Sequence, residues 1–241
     1  KAGITVNMKN LVGINGQKSW LPHFRKGSVP EGGDEWNKFS IRKTLHSRAR
    51  GLLQGRSKTL WRIARFFWHL IRPPKKSEGK AASAAEFFEM GGAWYGNDTV
   101  WRMVIDLNAI ILYYSKDKGW CETRPRTYFF VIDGIVAGEN HGPLFPTPKA
   151  AGCLLAGFEP VSGDTVAASV MGFDWRKIPL LREARASKRH SLLSIDDPEA
   201  IPVATRSGIV SLRDLDVSLN FIAAPGWRGA IEKAETAVIS K

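Results

Sequence analysis

The sequence predicts an α/β domain with a mixed, largely parallel sheet flanked by helices, plus a basic helical insertion. Three observations carry that prediction. The β-branched and aromatic run "RTYFFVID" and the apolar run "GCLLAGFE" read as strands, and "PVSGDTVAASVMG" follows as a short helix. Ahead of them, "NDTVWRMVIDLNAIILYYSKDKG" repeats apolar residues at helical spacing. Finally, the net charge of +12 is not spread over the chain but sits in one helical stretch.

Each element has its own local reasons. In the long helical run, Asp98 is placed to cap the start, Gly119 to close the end, and Arg102 and Asp106 to pair four residues apart. Asn108 falls among Trp101, Val104, Ile111 and Leu112, so its amide either ties down a neighbouring loop or reaches a ligand. In "PVSGDTVAASVMG", Ser162 or Asp164 stands near the start and Gly172 at the close. "DWRKIPLLREA" reads as a further short helix, and "GIVSLRDLDVSLNFIA" as late strands before the "PGWRG" turn. The opening "KAGITVNMKNLVGI" is strand-like, with no initiator Met and no signal-peptide pattern, and suggests an upstream segment that would complete the fold.

With 241 residues, 44% hydrophobic and 24% charged, the chain has ample material for one core, and we take residues 1–241 as a single domain. No apolar stretch reaches the ~18 residues of a membrane span. Cys121 and Cys153 are too few to hold an iron–sulfur cluster or a disulfide framework, which points to a reducing, cytoplasmic setting.

Twelve of the 35 lysines and arginines lie in residues 36–77, which hold no Asp or Glu, leaving 23 basic against 23 acidic residues elsewhere. Within that stretch "KTLWRIARFFWHLIRPP" sets Lys58, Arg62, Arg65, His69 and Arg72 on one narrow helical stripe. Trp61 and Trp68 border it, and apolar residues cover the opposite side. Residues 38–85 therefore read as an insertion or arm. Its apolar face could pack on the domain itself. It could also lie on an anionic membrane surface at the inner face, with Lys58, Trp61, Arg62, Arg65, Trp68 and Arg72 in the headgroup region. Nucleic acid is the least suitable partner, because the stripe is narrower than a groove-binding face.

"VIDGIVAGENHGP" holds an Asp, a Glu and a His within nine residues, more than a plain connection requires. If the two strands were parallel neighbours, Asp133 and Glu139 would converge beyond their carboxyl ends with Asp164, and His141 would stand at the rim. Such a crevice could hold a divalent metal on Asp133 and Asp164, or use Glu139 and His141 as an acid–base pair. Lys9 and Asn10 offer contacts to a small anionic ligand. The plainer alternatives are an Asx turn at Asp133-Gly134 and a helix cap at Asp164. No nucleophile elbow, dinucleotide fingerprint or zinc-spaced cysteine pair appears.

Taken together, "KAGITVNMKNLVGING", "DLN", "VIDGIVAGENHGP" and "AGFEPVSGDTVAASVMGFD" resemble the family called domain of unknown function 362. The resemblance covers most of the chain outside the basic arm. It implies an α/β fold and, for some members, an association with iron–sulfur domains, for which this chain lacks the cysteines. Members typically carry a lysine-rich strand just before the point where this chain begins. The pattern often has Asp-Pro where this chain has Glu159-Pro160, and a small apolar pair where it has Ser162-Gly163; Asp164 matches. Two functions are therefore expected: a metal- or anion-binding crevice, enzymatic or not, and a membrane-surface binding or scaffold protein.

Overall fold

The structure, a computed structural model, describes residues 2–17, 20–41, 43–45, 47–48, 91–143, 145–186 and 190–233. The basic stripe (Lys58, Arg62, Arg65, His69 and Arg72) and the bordering Trp61 and Trp68 lie outside the described residues. Helices and strands are mixed. In chain order they are α1 (Asn7–Ile14), α2 (Val100–Tyr113), β1 (Tyr114–Ser115), β2 (Gly119–Trp120), β3 (Phe130–His141) and β4 (Phe145–Gly157). After these come α3 (Pro160–Met171), α4 (Pro179–Ala184), β5 (Pro202–Thr205) and β6 (Gly208–Ser211). No helix among the described residues is long and apolar enough to cross a membrane.

The largely parallel sheet is corrected. Among the described residues every sheet is a two-stranded antiparallel pair: β1 with β2, β3 with β4, and β5 with β6. The segment expected as a loop after Asp133 is strand, because β3 runs on to His141 and β4 already begins at Phe145. So short a connection can only reverse the chain; a parallel crossover needs about a dozen residues or more. In a parallel sheet such apolar runs would be covered on both faces. Instead the hairpin leaves Val131 and Leu154 exposed on its outer face, with the rings of Phe129 and Phe158 5.4 Å apart beside them.

The inner face of the hairpin meets α3 through Phe130. That ring sits so close to Gly163 that a Cβ there would overlap it. Gly163→Ala is expected to cost about 1–3 kcal/mol through overpacking, seen as a lower urea midpoint, with Phe130→Leu restoring part of the loss. An unchanged midpoint would mean that the ring yields freely.

Two helices follow their sequence signals with shifts, and a third departs from them. α3 begins with Pro160 and closes on Gly172 at φ 90°, as its composition indicates. α2 stops at Tyr113, six residues short of Gly119, because Tyr114 turns extended and pairs with Trp120. Its start is capped by Asn97, whose Oδ1 accepts from the Thr99 and Val100 amides at 3.0 and 2.9 Å. Arg102 pairs with Asp98 at 3.0 Å rather than with Asp106. The opening segment is helical over α1, which corrects the strand-like reading; ahead of the helix, residues 2–6, including the β-branched Ile4-Thr5-Val6, lie outside it. The core joins Met8 and Val12 of α1, Val100, Val104 and Leu112 of α2, Val161 and Ala168 of α3, and Leu180 and Leu181 of α4.

Candidate functional site

The first turn of α1 gathers polar groups that the core would otherwise exclude. A helix start leaves amide N–H groups without partners, and Val6 at the N-cap position has no side chain to offer them. The acceptor comes from another helix. Asp164 of α3 takes the Asn7 amide on Oδ1 at 2.9 Å and the Met8 amide on Oδ2 at 3.1 Å. Asp164 is fully buried, and loss of water pushes its carboxyl pKa up to about 7 despite the two amide bonds. Tyr128 donates to Asn7 Oδ1 at 2.8 Å, and burial raises the pKa of its hydroxyl. Asn108, also buried, donates to the carbonyls of Met8 and Val104 at 3.1 and 2.8 Å, while its Oδ1 and Asn7 Nδ2 have no partner among the described residues. It ties down a helix rather than a loop.

Lys9, also in the first turn of α1, is only 9% exposed. Among the described residues its ammonium makes one long hydrogen bond, to Thr5 Oγ1 at 3.4 Å, and no ion pair. Desolvation lowers its pKa from the ordinary lysine value. A buried cation this poorly compensated is costly to keep. Thr5 in turn lines a cleft of about 270 Å³ between residues 3–5, the tip of the β3–β4 hairpin and residues 221–224. Apart from Thr5, Glu139 and Asn140, its walls are mostly apolar, with Ile4, Met171, Phe173 and Phe221 among them.

The hairpin tip is held against that cleft by its polar side chains. Glu139 accepts from the Ile222 amide at 3.0 Å and pairs with Lys149 at 3.3 Å, so its charge is neutralised locally. Asn140, at φ 66°, donates its amide to the Ile222 carbonyl at 2.9 Å and accepts from Arg228 on Oδ1. His141 ends β3 beside Gly142 and Pro143 of the cleft wall, half-buried.

The residues singled out in the sequence are thus only partly brought together. Glu139 lines the cleft, Lys9 reaches it through Thr5, and Asp164 sits beneath α1. Asn10 is exposed on α1 and is not among the cleft residues. Asp133 does not join them: in the antiparallel register it faces Leu154, six residues down β3 from Glu139, and is exposed. Its carboxylate accepts from the Ile135 amide at 3.0 Å, the Asx-type turn anticipated for Asp133-Gly134, at the register shift before Val136. With Asp133 on an exposed strand and both Asp164 oxygens bound to α1, the two do not face a common metal ion. No group of three or more His, Cys, Asp or Glu suited to a metal occurs among the described residues. The α3 start is occupied as well, since Glu159 pairs with Arg124 at 3.0 Å and accepts from Ser162 Oγ at 3.2 Å.

Thr5, Asn7 and Tyr128 were missed from the sequence. Only Thr5 had a signal, its position four residues before Lys9; Tyr128 is 121 positions from the asparagine it binds.

The family model for the domain of unknown function (DUF362) matches residues 1–169, more than half of the chain. The chain belongs to the DUF362 family. The match spans α1, α2, the hairpin and most of α3, so the Asp164–α1 contact and the Lys9–Thr5 pair both fall within the DUF362 region. No curated protein and no solved structure matches the chain.

Proposed function

We propose that this DUF362 protein binds a small anionic molecule with an apolar body in the cleft beside α1. The supporting observation is Lys9, a buried ammonium with one 3.4 Å bond to Thr5. Because the Thr5 hydroxyl accepts from Lys9, its own hydrogen is left to donate into the cleft, polarised by the cation behind it. A carboxylate or phosphate oxygen there would complete the compensation that Lys9 lacks, while the apolar walls take the rest of the ligand. Glu139 does not oppose an anion, since Lys149 neutralises it. In an enzymatic version of this reading, His141 at the rim moves the proton and Glu139 holds the hairpin tip in place.

Calorimetric titration with hexanoate and with hexanol tests it. Hexanoate is expected to bind and hexanol not to. Equal behaviour of the two probes would overturn the proposal.

A second reading, attachment to a membrane surface, rests on the arginine stripe bordered by Trp61 and Trp68. Under it, vesicles rich in phosphatidylserine retain the protein at low salt, and deletion of residues 56–74 abolishes retention. Retention by neutral vesicles alone, or by the deleted chain, would contradict it.

A further inference from the structure

β3 keeps part of its outer edge open where it borders the cleft beside α1. In the antiparallel register Gly138 faces Pro148 and Asn140 faces Pro146. Proline has no N–H to give across the ladder, and in such a ladder alternate residues turn both main-chain groups away from the partner strand. Asn140 is one of these residues, since its amide points away from β4 and donates to the Ile222 carbonyl at 2.9 Å. Gly138, two positions back on the same strand, turns its N–H and C=O the same way. It is exposed, lines the cleft, and makes no hydrogen bond outside the ladder among the described residues. On another wall Thr5 is exposed as well, and its main chain makes no hydrogen bond among the described residues.

An accessible N–H and C=O on a strand edge are a template for a further strand. The rest of the cleft sets the chemistry of that strand. Thr5, with Lys9 behind it, calls for an anionic oxygen, whereas Met171, Phe173 and Phe221 call for an apolar side chain. All of these surround a cleft of about 270 Å³, so the ligand carries the two groups close together. In a peptide, only the C-terminal residue has a carboxylate and an apolar side chain on one carbon. A fatty acid would satisfy the charge and the apolar walls but leave Gly138 unpaired.

We infer that the anion bound beside α1 is the C-terminus of an extended peptide with an apolar last residue, paired as a strand with β3 at Gly138. This rests on the anion reading above and adds main-chain recognition to it. The full chain is titrated with N-acetyl-alanyl-leucine, its C-terminal amide, its form methylated on both peptide nitrogens, and hexanoate. Hydrogen exchange of the Gly138 amide is followed by NMR at saturation. The free-acid peptide is expected to bind about tenfold or more tightly than hexanoate and to slow Gly138 exchange about tenfold or more. Hexanoate is expected to bind without slowing it, and the methylated peptide to fall to the level of hexanoate. If hexanoate binds but the peptide binds no more tightly, leaves Gly138 exchange unchanged, or tolerates methylation, the inference is overturned while the anion reading stands. Equal binding of the C-terminal amide, or no binding of either hexanoate or the peptide, overturns both.

Discussion

Asp164→Ala is expected to destabilise the protein by about 3 kcal/mol, because it leaves two buried amide N–H groups without an acceptor at roughly 1–3 kcal/mol each. An ordinary cap on its own helix would cost less, about 1 kcal/mol. The difference arises because Asp164 caps a helix more than 150 positions away, so its loss also loosens α1 from α3. Denaturant unfolding measures the effect. A loss below about 0.5 kcal/mol would mean that water reaches the freed amides.

The same residue sets a pH dependence whose sign can be worked out. Burial holds the folded-state pKa of Asp164 at about 7, against 3.8 ordinarily. Between those values the native state holds a proton that the unfolded chain has released. Stability from this group is therefore complete below the lower value, falls as pH rises through the window, and is lost above the upper one. Asp164→Asn removes the titration. Relative to the parent, the Asn variant should gain on the order of 1 kcal/mol per pH unit across the window. A stability difference independent of pH would contradict the raised pKa.

Lys9→Met is the second large effect, and it separates stability from function. Replacing a poorly compensated buried ammonium with an apolar side chain of similar length is expected to stabilise the fold by about 1 kcal/mol or more. The same change should weaken hexanoate binding by about tenfold or more, the share of a charge-assisted hydrogen bond. A gain in stability together with a loss of binding identifies Lys9 as kept for a ligand. Destabilisation with unchanged binding would make it a structural residue.

The sequence made some of this legible and hid the rest for identifiable reasons. α3 was readable from both ends, since Pro160 and Gly172 act locally. α2 was found, but its end was not, because β1–β2 pairing outweighs the glycine signal at Gly119. The hairpin was misread as parallel because the Asp133–His141 stretch was taken for a connecting loop, whereas it is strand up to a turn too short for a crossover. Asp164 and Lys9 were singled out as ligand contacts and both are buried, although the carboxylate serves α1 rather than a crevice shared with Asp133. Partners such as Tyr128 with Asn7, or Glu139 with Ile222, depend on contacts across 121 and 83 positions. No local pattern encodes those contacts.

The central claim is that Lys9 awaits an anion in the cleft behind Thr5. Its most direct test is to follow the Lys9 side chain by lysine-selective NMR through a pH titration, with and without hexanoate. The account predicts a titration below the ordinary lysine range in the free protein, shifted upward when hexanoate is present. A Lys9 titration that hexanoate leaves unmoved would contradict it.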